Sequence, residues 1–244
     1  MQQCPADAIH TLCSRAAAIK EAETRPADAP VRVLFLSEGN TCRSVLAEAL
    51  FTRLLEERHL SDSVTCESKG TRDYNVGEGP DAATLAVGQA LGLNFLAYHV
   101  ARATDFEVDI NLFDMMLPVD KFTAADILRE CTVYDTINPK GGYVDKVRTL
   151  AEFNSSPGKV TEIDDPLYGS LTPGGPDEVE AVTAAAQVIL ACCQGLADRL
   201  EAIVQQAKAS SQPVRPLLVK SLAGMAPVEW VRPPMLSKPL SRAL

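Results

Sequence analysis

The sequence is poor in the residues and motifs that mark several common protein classes. Only three of its 244 residues are histidine, one is tryptophan, and aromatic residues make up 5% of the chain. The seven cysteines form no C-x-x-C pair and no cysteine–histidine cluster with zinc spacing. No G-x-x-x-x-G-K-[ST] loop occurs, which disfavours a nucleoside triphosphate site. We therefore expect neither a metal nor a cofactor.

Long apolar runs and an excess of positive charge are also absent. No apolar run reaches the roughly 18 residues that a membrane-spanning helix needs, so we expect no membrane span. The net charge is −9, from 23 basic and 32 acidic residues, which argues against nucleic-acid binding. Scattered cysteines, odd in number, fit a reducing intracellular compartment. We expect this compartment to be the cytoplasm or, if a transit peptide has been removed, the plastid stroma.

Composition divides the chain into three segments. Residues 1–30 combine an amphipathic helical pattern with a T-R-P-A-D-A-P linker at 24–30. Residues 31–209 alternate strand and helix patterns. Residues 210–244 contain six prolines, Trp230, and five basic residues against one acidic residue. We predict that this basic tail is flexible or, alternatively, that it docks on an acidic protein partner.

The central segment predicts a doubly wound α/β domain with a four-stranded parallel sheet flanked by helices. Strands are predicted from apolar or β-branched runs at 31–36, 64–67, 112–119 and 132–134. Helices are predicted from periodic apolar residues at 44–58, 80–91, 122–129 and 177–209. Ligands of such sheets bind at the carboxyl ends of the strands, which directs attention to the loop after the first strand.

That loop, with its flanking residues, reads S-E-G-N-T-C-R-S at 37–44 and carries the strongest functional signal. Gly39 allows the backbone to approach an oxyanion, and Asn40 tolerates left-handed dihedral angles. Arg43 offers a planar fork of donors beside a helix N-terminus, where anions are favoured. The loop therefore predicts a phosphate site. Its predicted phosphate-binding residues are Glu38, Gly39, Asn40, Thr41, Cys42, Arg43 and Ser44.

The loop resembles the C-x-x-x-x-x-R-[ST] signature of the low-molecular-weight protein tyrosine phosphatases. Three further stretches resemble motifs of that family in the same order: G-T-R-D-Y-N-V-G with P-D at 70–81, F-D-M-M-L-P-V-D at 113–120 and D-P-L-Y-G at 165–169. The resemblance covers roughly residues 31–206 and implies the fold of that family. This sequence departs from the pattern at Ser37, where the family has its nucleophilic cysteine, and at Val45, where proline is usual.

The resemblance also implies roles for individual residues. In the family a thiolate attacks phosphorus, while the arginine and the loop amides hold the phosphoryl oxygens. Arg43 would take that binding role here, and Asp165 would protonate the leaving phenolate. The positions expected to form the pocket walls are Tyr74, Asp120 and Tyr168.

Ser37 leaves three hypotheses open. A hydroxyl ionises far less readily than a thiol, and none of the three histidines lies in a pocket motif to act as its base. The first hypothesis is a protein that binds phosphate or a phosphorylated residue and is catalytically impaired. The second is a non-catalytic adaptor or subunit that docks through its termini. The third is an active phosphatase carrying a cysteine-to-serine trapping substitution, against which Glu38 and Val45 argue because the loop departs at several positions.

The phosphorylated group is a further open point. Protein arginine phosphatases share this fold, and Thr41 is a residue type seen in their loops. Arsenate reductases share this fold as well, so the sequence leaves open whether the ligand is phosphotyrosine, phosphoarginine, another phosphorylated group or free phosphate.

Overall fold

The protein is built around a three-stranded parallel sheet. The computed structural model describes residues 15–17, 20–22, 24–139, 141–156, 160–170 and 172–225. Strand β1 (Val31–Ser37) lies between β2 (Val64–Gly70) and β3 (Met115–Pro118). Ser37 pairs with Gly70, so β1 and β2 end at the same edge of the sheet.

Helices connect and cover these strands. In the described part of residues 31–225 they are α1 (Arg43–Glu57), α2 (Ala82–Ala90), α3 (Phe106–Leu112), α4 (Lys121–Ile137), α5 (Pro176–Ser210) and α6 (Val214–Ala223). Short 3-10 helices occur at Asn94–Tyr98, Val144–Lys146 and Leu150–Phe153. Ahead of the sheet, residues 15–17, 20–22 and 24 are helical, in agreement with the predicted N-terminal helix.

Alternating side chains of β1 place a hydrophobic core on each face of the sheet. Val33 and Phe35 pack into the cluster that contains α1 and α5, whereas Leu34 and Leu36 pack into the cluster that contains α3 and α4. All four are fully buried. A strand covered on both faces reads as a continuous apolar run, which is why the sequence predicted β1 correctly.

The predicted fourth strand at 132–134 is wrong, and the sheet has three strands in the part of the chain that the structure describes. These residues belong to α4. Ile127, Leu128 and Cys131 are buried on that helix, and Tyr134 is partly buried one turn later. This spacing is helical, so packing overrides the strand preference of a short T-V-Y run.

The predicted strand at 112–119 is shorter than expected. Strand β3 begins at Met115 because the preceding residues, Phe106–Leu112, form α3. Asp109 and Ile110 are the buried residues of this seven-residue helix, which is too short to give a clear periodic signal.

Helix α5 has 35 residues and is long and apolar enough, by length and composition, to cross a membrane. Val182, Ile189 and Leu196 on its apolar stripe are fully buried in the cluster that also contains α1. This stripe belongs to the hydrophobic core, and a single apolar helix of this kind is weak evidence for a membrane span.

The first part of the predicted tail is folded. Helix α6 packs on α5 and buries Leu218 and Leu222. Pro213 precedes the helix and Pro216 lies in its first turn, where a missing N–H breaks no intrahelical hydrogen bond. The later tail residues 226–244, with Trp230, lie outside the described residues.

Asp114 joins both terminal segments to the sheet. Its Oδ2 accepts hydrogen bonds from Arg25 Nη1 (3.0 Å) and from Arg32 N (2.9 Å), and its Oδ1 accepts one from Arg215 Nε (3.0 Å). The side chains of Arg25 and Asp114 are buried. The linker before β1 and helix α6 therefore belong to the same folded unit as the sheet.

Candidate functional site

The candidate site is the loop of residues 38–42 between β1 and α1, at the carboxyl edge of the sheet. Asn40 has a φ of 58°, in the left-handed region, as its residue type predicted. Its side chain is fully buried, and its Oδ1 accepts a hydrogen bond from Arg102 N at 2.9 Å. Asn40 thus holds the bend of the loop from inside the protein.

Four carbonyl groups of the loop are bound by the surrounding structure. The pairs are Ser37 O with Thr71 N (2.9 Å), Glu38 O with Arg72 N (3.0 Å), Asn40 O with His99 Nε2 (3.2 Å) and Thr41 O with Asp81 N (3.1 Å). A trans peptide points its C=O and N–H in opposite directions, so the N–H groups after these carbonyls face the pocket. In the described residues, none of these N–H groups donates to a protein acceptor. They form a concave set of donors suited to a tetrahedral oxyanion.

Two glycines allow this tight geometry. A Cβ on Gly39 would lie 2.6 Å from Asn75 Nδ2, and a Cβ on Gly70 would lie 2.8 Å from Glu38 O. The end of β2 therefore supports the loop backbone directly, which a larger residue at position 70 would prevent.

Arg43 opens α1 and is fixed from behind. Its Nη1 donates to Asp120 Oδ2 (2.7 Å) and to Ile163 O (2.9 Å). Asp120 also caps α4, because its Oδ1 accepts from Thr123 N at 2.8 Å. With Nη1 occupied, the guanidinium lines the pocket through its remaining donors. Asp120 lies behind Arg43 and orients it, rather than lining the pocket.

The pocket has a volume of about 160 Å³. Asp165 stands at its mouth with Oδ2 3.5 Å from Arg43 Nη2, and its Oδ1 accepts from Leu167 N at 3.2 Å. The lining residues are Ser37, Glu38, Gly39, Asn40, Thr41, Cys42, Arg43, Tyr74, Asn75, Asp81, Asp165 and Leu167. The structure therefore brings together Tyr74, Asp165 and all the predicted phosphate-binding residues except Ser44, which is fully buried and does not line the pocket.

Ser37 lies at the floor of this pocket and is 3% exposed. Its Oγ is 2.7 Å from Ser44 Oγ and accepts a hydrogen bond from Asn40 N at 3.3 Å. Asn40 Nδ2 donates to Ser44 Oγ (3.0 Å) and to Ser68 Oγ (2.9 Å). Within the described residues, Ser37 contacts neither a histidine nor a carboxylate that could accept its proton.

Cys42 also lines the pocket, but its chemistry is that of a neutral thiol. It is 5% exposed, and burial raises the pKa of the thiol to about 12. A thiol in this state is a poor nucleophile near neutral pH. Cys42 is therefore a wall of the pocket rather than a substitute for a reactive cysteine.

The structure places Tyr168 outside this pocket. Its side chain is 91% exposed and lines a neighbouring depression with Pro166, Asp177 and Glu178. Tyr74 lines the pocket beside Arg43 and is 61% exposed. Burial, followed by the nearby Glu38 carboxylate, raises the pKa of the Tyr74 phenol.

Sequence reasoning missed two polar residues at the site. Asp81, quoted only as part of a P-D motif, lines the pocket, and burial raises the pKa of its carboxyl. His99 was placed outside the pocket motifs, yet it contacts Asn40 O, and burial lowers the pKa of its imidazole. His99 lies 59 residues from Asn40 in the chain, so no local pattern could have revealed this contact.

No group of three or more histidine, cysteine, aspartate or glutamate side chains in the described residues is arranged to hold a metal ion.

Comparison with known proteins connects this geometry to one family. The family model described as low molecular weight phosphotyrosine protein phosphatase matches residues 32–209. A protein of that description from Sus scrofa is 32% identical over 170 residues, covering 69% of this chain and 94% of the relative. A relative from Schizosaccharomyces pombe is 34% identical over 140 residues, covering 57% of this chain and 82% of the relative.

Solved structures show the same fold. A protein tyrosine phosphatase from Entamoeba histolytica, crystallised with Hepes in its active site, superposes with a TM-score of 0.57 at 26% identity. That match covers 70% of this chain and 97% of that chain. A Drosophila arginine phosphatase gives a TM-score of 0.55 at 27% identity, covering 68% and 96%.

Proposed function

Because this chain belongs to the low molecular weight phosphotyrosine protein phosphatase family, we propose that its pocket binds a phosphorylated residue or phosphate and that its catalysis is strongly impaired. The observation that carries the proposal is Ser37. This last residue of β1 lies directly before the loop and below its donors, where the resemblance puts the nucleophilic cysteine. The groups proposed to bind the phosphoryl oxygens are therefore present, whereas the residue at the nucleophile position carries a hydroxyl instead of a thiol.

The binding half is argued from charge and geometry. A tetrahedral phosphoryl group in the pocket would meet the inward N–H groups of the loop and the guanidinium of Arg43. The buried ion pair between Arg43 and Asp120 fixes the guanidinium before a ligand arrives. Preorganised donors of this kind stabilise the ligand without a cost of reorganisation. Asp165 is positioned to protonate a leaving group.

Ser37 lacks a base that could accept its proton and so activate it as a nucleophile. The nearest carboxylate reached through hydrogen bonds is Glu48, whose Oε2 accepts from Ser68 Oγ at 2.5 Å. Between Ser68 and Ser44 stands the Asn40 amide, which donates in both directions. An amide that donates on both sides cannot pass a proton from Ser44 to Ser68. Glu48 therefore cannot act as a remote base for Ser37.

The experiment is a gain of function. Hydrolysis of p-nitrophenyl phosphate should rise by about 10³-fold or more in Ser37→Cys, since loss of a nucleophile typically costs several orders of magnitude, each tenfold being about 1.4 kcal/mol. Adding Asp165→Asn to Ser37→Cys should lower kcat. The matched control is Ser37→Ala, whose rate should equal that of the wild-type chain. Wild-type hydrolysis well above Ser37→Ala, and lost in Asp165→Asn, would contradict the proposal and support an active serine enzyme.

The trapping hypothesis shares part of this outcome. It also expects Ser37→Cys to restore turnover, but it requires a loop that is otherwise that of a fully active enzyme. The substitutions Glu38→Leu and Val45→Pro in the Ser37→Cys background test this. A large additional rise in kcat favours a loop that has diverged from catalysis, and no change favours the trapping hypothesis.

Phosphoarginine is a second candidate ligand class, favoured by the carboxylates at the pocket. Glu38, Asp81 and Asp165 all line it, and Asp81 Oδ2 is buried without a hydrogen-bond partner in the described structure. A phosphorylated guanidinium carries N–H donors that such carboxylates accept, whereas a phenyl ring carries none. The similarity to a Drosophila arginine phosphatase agrees with this chemistry. Tighter binding of phosphoarginine than of phosphotyrosine, lost in Asp81→Asn, would support it; equal loss for both ligands would contradict it.

The adaptor hypothesis concerns the tail. Arg215 is engaged with Asp114 and Lys220 is an exposed residue of α6, so the other basic residues of the tail are those beyond α6, at 232, 238 and 242. Deleting residues 226–244 leaves α6 and the pocket in place. The hypothesis requires this deletion to abolish binding of an acidic protein partner without changing the affinity for phosphate.

A further inference from the structure

We infer that the Ser37 hydroxyl is a hydrogen-bond donor to the bound ligand, so that this pocket retains a phosphate dianion that a thiolate at the same position would repel. The inference rests on the proposed function and specifies the ionisation state of the ligand and the role of Ser37 as a binding residue.

The first step is the orientation of the Asn40 amide. Its Oδ1 accepts from Arg102 N (2.9 Å), which identifies the oxygen end of the amide. The amide nitrogen therefore donates one hydrogen to Ser44 Oγ and the other to Ser68 Oγ. Ser68 in turn donates its own proton to Glu48. Donor and acceptor are thus assigned for every hydrogen bond that joins Asn40, Ser68 and Glu48.

The second step is the proton of Ser44. Ser44 is fully buried, and its Oγ already accepts from Asn40. In the described residues, the acceptor within reach of the Ser44 hydroxyl is Ser37 Oγ, at 2.7 Å. If Ser37 donated to Ser44 instead, the Ser44 proton would be buried without an acceptor, which is costly. In the hydrogen bond between the two hydroxyls, Ser44 is therefore the donor and Ser37 the acceptor.

The third step is the proton of Ser37. Its oxygen accepts from Ser44 Oγ and from Asn40 N. Its own proton has no acceptor among the described residues, while its side chain lines the pocket. The acceptor that completes this network is an oxygen of the ligand. A donor to an ionised oxygen typically contributes a factor of about 10 to 100 in affinity.

The comparison with cysteine follows from charge. At the same position a thiolate would be an anion in contact with the ligand and would disfavour a dianion through like-charge repulsion. Phosphate monoesters become dianions above a pKa of about 6. The serine pocket should therefore bind more tightly as the pH rises through this value, and the cysteine pocket should not.

Other ionisable groups surround the ligand and are common to all variants at position 37. At the pocket they are Arg43, Glu38, Asp81, Asp165, Tyr74 and Cys42; behind it are Glu48, Asp120 and His99. Because these groups are unchanged in each variant, differences between variants at one pH isolate the effect of residue 37.

The test is calorimetric titration of the full chain with inorganic phosphate and, separately, with phenyl phosphate, between pH 5.5 and 8. We expect Kd for phenyl phosphate to fall as the pH rises to about 7 and then to level off. Kd for inorganic phosphate, which becomes a dianion at a higher pH than a monoester, should continue to fall up to about pH 8. At pH 7.5 Ser37→Ala should raise Kd for both ligands about tenfold or more. Ser37→Cys is titrated with inorganic phosphate alone, because it should hydrolyse the ester, and should raise Kd by an amount that grows with pH. Ser210→Ala, in the last turn of α5, is the matched serine-to-alanine control and should leave Kd unchanged. The ratio of the Kd values for inorganic phosphate and phenyl phosphate shows whether the pocket prefers free phosphate or an ester.

The outcomes separate the inference from the proposed function. Wild-type affinity in Ser37→Ala would overturn the donor role and leave the phosphate pocket intact. Absence of binding in the wild-type chain at every pH would overturn both. If Ser37→Ala does not fold, Ser37→Gly removes the same hydroxyl, and wild-type affinity in Ser37→Gly would overturn the donor role.

Discussion

Replacing Asp114 by asparagine is expected to lower the free energy of unfolding by about 3–5 kcal/mol. The carboxylate accepts from two arginines and one backbone N–H, and its side chain is 7% exposed. Asparagine keeps the size of the side chain but removes the charge, which leaves the buried guanidinium of Arg25 uncompensated. Breaking one partner of a buried pair costs far more than the pair contributes at a surface.

The assay is urea denaturation of the full chain. With a slope of about 2 kcal/mol per molar urea, the midpoint should fall by about 1.5–2.5 M. The control is Asp198→Asn, which removes an Arg58 pair in which Asp198 is 64% exposed, and it should cost less than about 1 kcal/mol. Combining Asp114→Asn with Arg215→Met should give less than the sum of the single effects, because the two residues are in contact.

A loss below about 1 kcal/mol in Asp114→Asn would refute the reasoning. It would mean that residues 24–30 and α6 are attached loosely to the sheet. The domain would then end near the boundaries of the predicted 31–209 segment, rather than including the residues that Asp114 joins.

Two further predictions concern packing and pH. Gly195→Ala should destabilise the protein by about 1–3 kcal/mol despite the better helix propensity of alanine, because the added Cβ would lie 2.0 Å from Phe153 O. The control is Gly224→Ala, where the nearest such contact is 3.5 Å. Measured by thermal unfolding, this control should change stability by less than about 0.5 kcal/mol. Burial lowers the pKa of His99 below its ordinary 6.5, so the folded state binds fewer protons than the unfolded state just below that pH. The free energy of unfolding should therefore fall as the pH drops below 6.5, and His99→Gln should flatten that slope.

The first strand and the loop were predictable because their signals are local. A doubly covered strand is a continuous apolar run, and the loop needs a glycine for close approach and a residue that tolerates positive φ. Gly39 and Asn40 meet both needs within four residues of the strand. The position of Arg43 at the start of α1 follows from the same short stretch.

The remaining features depend on contacts that are distant in the chain. The T-V-Y run at 132–134 joins a helix because Ile127 and Cys131 are buried one turn earlier, which outweighs its own preference. Pro216 suggested an extended tail, yet it occupies a first helical turn where proline is tolerated. The contact of His99 with Asn40 O and the joining of Arg25 and Arg215 by Asp114 have no counterpart in local sequence patterns.

The central claim is that the pocket holds a phosphate ester without breaking it. The most direct measurement follows a phosphotyrosine peptide, and in parallel a phosphoarginine peptide, by phosphorus NMR in the presence of the wild-type chain. We predict a shifted or broadened phosphoester resonance that persists for hours, with no growth of the inorganic phosphate signal beyond that seen with Ser37→Ala. Steady growth of inorganic phosphate above that control, or unperturbed resonances for both peptides at millimolar protein, would contradict the account.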